Sequence, residues 1–186
     1  MIEPRDIYRE LVCLVLTEHA GQRRIHNNVS GIFHMPELAL TYALEKRLRV
    51  CGDVSDTTHT YREFYVRENR HVDFAIISNG GPRLLIEVKQ DCCLDSVAED
   101  GVKLYNEVFN GDIGLLINIK EEWADVLNQY PAKRTRDLNE SSKKKGTPKL
   151  NAAPVVDHFE FVSCGAGGSG REKAAVICAW QLSVQV

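Results

Sequence analysis

The stretch LLIEVKQ (residues 84–90) runs three apolar residues into a carboxylate and an ammonium separated by one valine. On a strand, residues two apart share a face, so Glu87 and Lys89 point the same way. His71 and Asp73 stand in the same relation within the preceding extended stretch, HVDFAIIS. The intervening NGGP is a tight turn that folds the two stretches together. A suitable register then sets Asp73 and Glu87 side by side on neighbouring strands. Two carboxylates at that range resist joint ionisation. A divalent cation between them makes the arrangement favourable, and hard oxygen ligands suit Mg2+ or Mn2+. Lys89, beside such an ion, is placed to orient or activate a water and to stabilise negative charge on a phosphorane-like transition state.

These residues need elements to hold them. Pro4 and the spacing of Ile7, Leu11, Leu14 and Val15 predict a helix over residues 4–19, ended by Gly21. GQRRIHNNVSGIF reads as a loop. MPELALTYALEKRLRV reads as a second helix with Leu38, Tyr42 and Leu48 on its apolar side. Three strands follow, TYREFYV, HVDFAIIS and RLLIEVKQ, forming an antiparallel meander. SVAEDGVKLYNEVFN is a helix weakened by Gly101, IGLLINIK a buried strand, and EEWADVLNQY a short helix before Pro131. Residues 131–150 carry seven basic residues against two acidic ones and read as a flexible basic loop. VVDHFEFVSC and KAAVICAWQLSV form a C-terminal β-hairpin at about 155–185 across GAGGSGRE. The chain of 186 residues fits one domain of mixed α/β or α+β class: a mixed central sheet with an antiparallel meander, flanked by helices, plus the hairpin.

Asp73, thirteen intervening residues and then Glu87-Val88-Lys89, set in this order of elements, resemble the PD-(D/E)xK nuclease superfamily. Val72 stands where the proline that names the motif would be. The resemblance covers residues 34–119 and implies a restriction-endonuclease-like core with divalent-metal-dependent hydrolysis of phosphodiester bonds. It also implies roles. Asp73, Glu87 and the Val88 carbonyl would ligate Mg2+ or Mn2+. Glu37, opening the second helix, would hold a second ion or its water, with Glu45 in reserve as a surface charge. Lys89 would position the attacking water. Gln90, Lys103, Tyr105 and His71 would meet the substrate. The expected partner is nucleic acid, DNA first, in a setting of restriction, defence, recombination or repair. Cleavage of two strands would ask for a homodimer.

Other signals bound the reading. A net charge of −3 does not advertise a polyanion-binding surface, so the basic segment, with Arg23, Arg24, Lys46 and Arg47, would have to supply it. Six cysteines without zinc spacing, a charged N-terminus and the lack of any 20-residue apolar run point to a reduced, cytoplasmic protein that does not enter membranes. His19, His26, His59 and His158 read as surface or loop residues. GAGGSGRE lacks the Lys-Ser/Thr of a phosphate-binding loop. Two alternatives stay open. One is a non-catalytic nucleic-acid- or protein-binding module on the same fold, with Asp73 and Lys89 salt-bridged across the strands. The other is an RNA endonuclease similar to viral cap-snatching enzymes, which His34, three residues before Glu37, would favour.

Overall fold

The computed structural model describes residues 3–25, 31–50, 58–67, 70–79, 83–90, 94–108, 112–127, 129–144, 150–155, 158–164 and 173–184. The elements run α1 (Pro4–Ile25), a 3-10 turn (Gly31–His34), α2 (Glu37–Val50), β1 (Thr58–Arg67), β2 (Arg70–Ser78), β3 (Arg83–Gln90), α3 (Leu94–Glu107), β4 (Ile113–Trp123), α4 (Ala124–Leu127), α5 (Tyr130–Lys144), β5 (Leu150–Pro154), β6 (Phe159–Cys164) and β7 (Lys173–Val184). The mixed α+β class and the antiparallel β1–β2–β3 meander are both present. No described helix is long and apolar enough to cross a membrane.

The seven strands form one mostly antiparallel sheet in the order β1-β2-β3-β4-β7-β5, with β6 also paired to β7. Among the described strands only β3 and β4 pair in parallel, joined through α3 as a crossover helix allows. Both are buried without interruption over Leu84–Val88 and Gly114–Ile119 because both of their faces are covered. On one face, Ile7, Leu11 and Leu14 of α1 and Leu40, Leu44 and Leu48 of α2 pack on Phe74, Ile86, Val88 and Ile117. On the other, Val97 and Leu104 of α3 and Leu138 of α5 pack on Leu85, Leu116, Val176 and Trp180. Gly101 serves that second layer: a Cβ there would come within 3.1 Å of Leu138 and 3.2 Å of Leu116. What reads in the sequence as a helix weakness is a close approach of α3 to its neighbours.

Several expectations change. The C-terminal hairpin exists as β6 and β7, but β7 is an inner strand, with β4 along one edge and β5 and β6 along the other. Ala175–Trp180 are all buried, which an appended hairpin would not be. The expected basic loop is largely helix: Tyr130–Lys144 is α5. Its Lys, Arg, Glu and Ala are good helix formers, and Leu138 with the Trp180 Nε1–H to Thr135 Oγ1 bond of 2.8 Å anchor it. Residues 145–149, the GAGGSGRE connection and Cys92-Cys93 lie outside the described residues. Helix α1 continues past Gly21 to Ile25. On α2 the buried stripe is Leu40, Leu44 and Leu48, while Leu38 and Tyr42 face solvent. Cys178 is buried in the second core cluster and Cys13 is exposed.

His19 is not a surface residue. It is buried in α1, accepts the Ile32 N–H at Nδ1 (3.2 Å) and stacks edge-on to Phe161 at 5.0 Å. This contact fixes the 3-10 turn, whose Gly31 has φ +45°, a conformation L side chains rarely adopt. A Cβ at Gly31 would lie 2.2 Å from His19 Nδ1. Gly31→Ala is therefore expected to cost about 2 kcal/mol or more, from strain and overpacking together. Urea unfolding checks this; a loss under about 0.5 kcal/mol would show that the turn relaxes freely.

Candidate active site

Strands β2 and β3 pair in register from Ile77↔Arg83 to Phe74↔Ile86. One residue further on, Asp73 and Glu87 stand opposite each other. There Asp73 Oδ2 accepts the Val88 N–H at 2.9 Å, so a side chain takes the bond a strand partner would make. Across β3 the parallel ladder with β4 continues through Lys89↔Asn118 and Gln90↔Ile119. The carboxylates and Lys89 thus sit where β3 has backbone pairing on one edge and the Asp73 side chain on the other.

Glu87 is fully buried. Its Oε1 accepts from Lys103 Nζ of α3 at 2.7 Å. Its Oε2 is buried and receives no hydrogen bond. Burial, then the Asp73 charge and its close contact, push the Glu87 carboxyl up to about 8, against the opposing pull of Lys103. Lys89 Nζ lies 3.0 Å from Glu37 Oε1 and 3.4 Å from Asp100 Oδ2. Burial lowers the Lys89 pKa, but the Glu37 hydrogen bond with the Asp100, Glu37 and Asp73 charges outweighs it, and the net shift is upward. Lys89 is a fixed cation. The cross-strand pair of Asp73 with Lys89 does not form.

Glu37 is the first residue of α2, where the helix dipole favours a carboxylate. Its second oxygen accepts the Gln90 N–H at 3.0 Å, and Gln90 Nε2 donates to the Ile32 carbonyl at 2.9 Å. The 3-10 turn and the start of α2 are thereby tied to the end of β3. Of the expected residues, Asp73, Glu87, Lys89, Glu37, Gln90 and Lys103 come together. Val88 is buried and engages Asp73 through its N–H. Tyr105 does not join them: it lies in the apolar cluster with Leu104 and Trp180, its hydroxyl buried without a hydrogen-bond partner. The two-residue offset from Lys103 puts it on another side of α3. His71 is exposed on β2. Glu45 is not the surface charge expected: it is buried, accepting from Thr60 Oγ1 at 3.0 Å and paired with Arg49 at 2.9 Å. The His34 side chain lies outside the described residues.

Two residues were missed by the sequence reading. Asp100 on α3 pairs with Lys89 and lies 4.0 Å from Lys103, one turn on; the Asp-x-x-Lys spacing just after the motif was the available signal. Asn118 is fully buried in β4. Its Nδ2 donates to the Lys89 carbonyl at 3.1 Å and its Oδ1 accepts from Tyr130 Oη at 2.6 Å. A lone Asn inside IGLLINIK marks a polar group that has to be satisfied internally.

Four carboxylates (Glu37, Asp73, Glu87, Asp100) face two ammonium groups (Lys89, Lys103), leaving an excess of negative charge. When ionised, Asp73 and Glu87 offer only acceptor oxygens, and one oxygen of Glu87 is buried without a hydrogen-bond partner. That donor set fits a hard divalent cation. Among the described residues no three His, Cys, Asp or Glu side chains form a metal cage. A cation here would rest on two carboxylates, with remaining positions for water or a substrate oxygen, which is how Mg2+ is commonly held.

The raised Glu87 pKa has a defined consequence for stability. The folded protein keeps a proton that the unfolded chain releases around the ordinary carboxyl value of 4.5. This contribution is fully present below about pH 4.5 and is lost as pH rises to about 8. Glu87→Gln is expected to flatten the fall in unfolding midpoint between pH 5 and 8 in the presence of a chelator, while keeping an acceptor for Lys103. Parallel curves for wild type and variant would show that Glu87 is ionised throughout that range.

Comparison of the chain with protein-family models, with curated proteins and with solved structures finds no match in any of the three, which leaves the functional reading to the geometry and donor set of the site.

Proposed function

We propose that the chain is a divalent-metal-dependent endonuclease with a restriction-endonuclease-like core, acting on nucleic acid and on DNA in the first place. The observation that carries this reading is the meeting of Asp73, Glu87, Lys89 and Glu37 from three elements at the end of β3. Asp73 and Glu87 would hold Mg2+ or Mn2+, with Glu37 on its outer side. The ion would supply Lewis-acid stabilisation of charge developing on the phosphoryl oxygens. Lys89, kept cationic and aimed by Glu37 and Asp100, orients the attacking water and offsets negative charge in the transition state. Lys103 balances Glu87 when no other cation does. Asn118 holds the Lys89 carbonyl, and Gln90 holds the 3-10 turn, so the backbone on both sides of Lys89 is fixed before substrate arrives. A homodimer would bring a second such site to the opposite strand.

One observation favours a second reading. Glu37, Glu87 and Asp100 already pair with lysines, and Asp73 holds a backbone N–H. A non-catalytic binding module on the same fold would keep this cluster as structural ion pairs.

The two readings part on cleavage. Supercoiled DNA and a single-stranded RNA, each incubated with wild type in Mg2+ or Mn2+, should show one of them cut. Lys89→Ala should lose at least about a hundredfold in rate while retaining calorimetric binding of Mn2+. Turnover by Lys89→Ala equal to wild type would remove the role given to Lys89. No cleavage of either substrate by wild type would favour the binding module.

A further inference from the structure

Arg134 lies in α5, one turn beyond Tyr130, and only 6% of it is exposed. Its guanidinium stacks over the Tyr130 ring at 4.7 Å. Its Nε and Nη1 are buried without a hydrogen-bond partner, and it makes no ion pair among the described residues. Asp137, three residues on, also keeps a buried oxygen, Oδ2, without a hydrogen bond, yet the two do not pair. An uncompensated buried cation is among the most costly groups a fold can carry. Cys178 does not compensate it: burial pushes that thiol up to about 12, even with the Arg134 charge pulling down, so it stays neutral.

The place of Arg134 is informative. Lys89, Asn118 and Cys178 are successive partners across β3, β4 and β7, spanning roughly 10 Å at the usual strand spacing. Tyr130, on which Arg134 stacks, donates to Asn118, and Asn118 donates to Lys89. Arg134 therefore belongs to the same end of the sheet as the carboxylates, displaced toward β7. It is a planar fork of donors with no internal acceptor, set beside a site rich in negative charge that must admit a polyanion.

We infer that Arg134 is a phosphate-binding residue, which engages a backbone phosphate of the nucleic acid next to the one at the Asp73–Glu87–Lys89 centre. The inference rests on the nuclease reading for its substrate class. The guanidinium fork matches phosphate oxygens in a bidentate way that an ammonium cannot. Its long stem lets the head move to the surface while the aliphatic part stays packed. Tyr130 and the fixed α5 backbone hold it ready. The contact positions the strand and carries no sequence information.

The test is binding of a labelled 12-nucleotide duplex DNA in EDTA, where no cleavage occurs, as a function of salt, by wild type, Arg134→Gln and Arg134→Lys. Arg134→Gln should bind about tenfold or more weakly, with a salt slope smaller by about one. Arg134→Lys should keep the slope but not the full affinity. Without DNA, Arg134→Gln should unfold at the same or a higher temperature than wild type, because it removes an unpaired buried charge. Equal affinity and slope for wild type and Arg134→Gln would overturn the inference, as would a lowered unfolding midpoint restored by Arg134→Lys, which marks a structural cation. A midpoint raised by inorganic phosphate in wild type only, with DNA binding unchanged, would assign the site to a free phosphate ligand and overturn the nucleic-acid assignment. Cleavage by wild type with unaltered Arg134→Gln kinetics would sink this inference alone. Arg134-dependent DNA binding without cleavage in Mg2+ or Mn2+ would sink the nuclease reading alone.

Discussion

A carboxylate buried to zero exposure governs this part of the molecule. Glu87 sits inside the sheet with Asp73 close by, and neither burial nor a like charge favours its ionised form. Something positive must balance it: a proton, Lys103, or a cation from solution. Lys103 reaches it from α3, which brings α3 close to the end of β3. Asp100, one turn earlier on the same helix, then meets Lys89 from the other side. Glu37 completes the ring of alternating charge from α2. Glu37, Glu87, Lys89, Asp100 and Lys103 are each held by a neighbour of opposite sign, and Asp73 by the Val88 N–H.

The rest of the sheet is built to keep that ring in place. β3 pairs in parallel with β4, so its far end is open to helices on both faces, and α2 and α3 approach from opposite layers. β7 backs β4 along ten residue pairs, from Gly114↔Leu182 to Trp123↔Lys173, and anchors α5 through Trp180. Through Tyr130 and Asn118 that outer layer reaches the Lys89 carbonyl. Rigidity at the site thus draws on β7, which adds no side chain to the carboxylate–lysine cluster.

Much of this was legible in the sequence because it depends on periods. The alternation of Glu87 with Lys89, the turn between β2 and β3, and an acidic residue opening α2 are short-range patterns, and the structure brings all of these residues together. What was not legible depends on distant partners. Nothing local shows that KAAVICAWQLSV lies inside the sheet rather than beside it, since a hairpin and a central strand share the same apolar alternation. α5 was hidden because its charged composition mimics a loop, and few of its described residues, among them Tyr130, Arg134, Thr135 and Leu138, turn to the core. His19 was hidden because its meaning lies in Gly31, across a stretch of sequence that has no pattern. Tyr105 was misjudged by two residues along a helix, enough to turn a side chain from the site into the apolar core.

The central claim is that Asp73 and Glu87 form a cation site rather than a closed set of ion pairs. Thermal unfolding of wild type and Asp73→Asn, with chelator and with millimolar Mn2+, addresses it most directly, since Asn keeps an acceptor for the Val88 N–H. The wild-type midpoint should rise with Mn2+, by about 5 °C or more at a hundredfold excess over Kd. The variant should show no such rise, and in chelator it should be at least as stable as wild type. A wild-type midpoint indifferent to Mn2+, or an equal rise in both proteins, would contradict the claim and leave the cluster as a structural network.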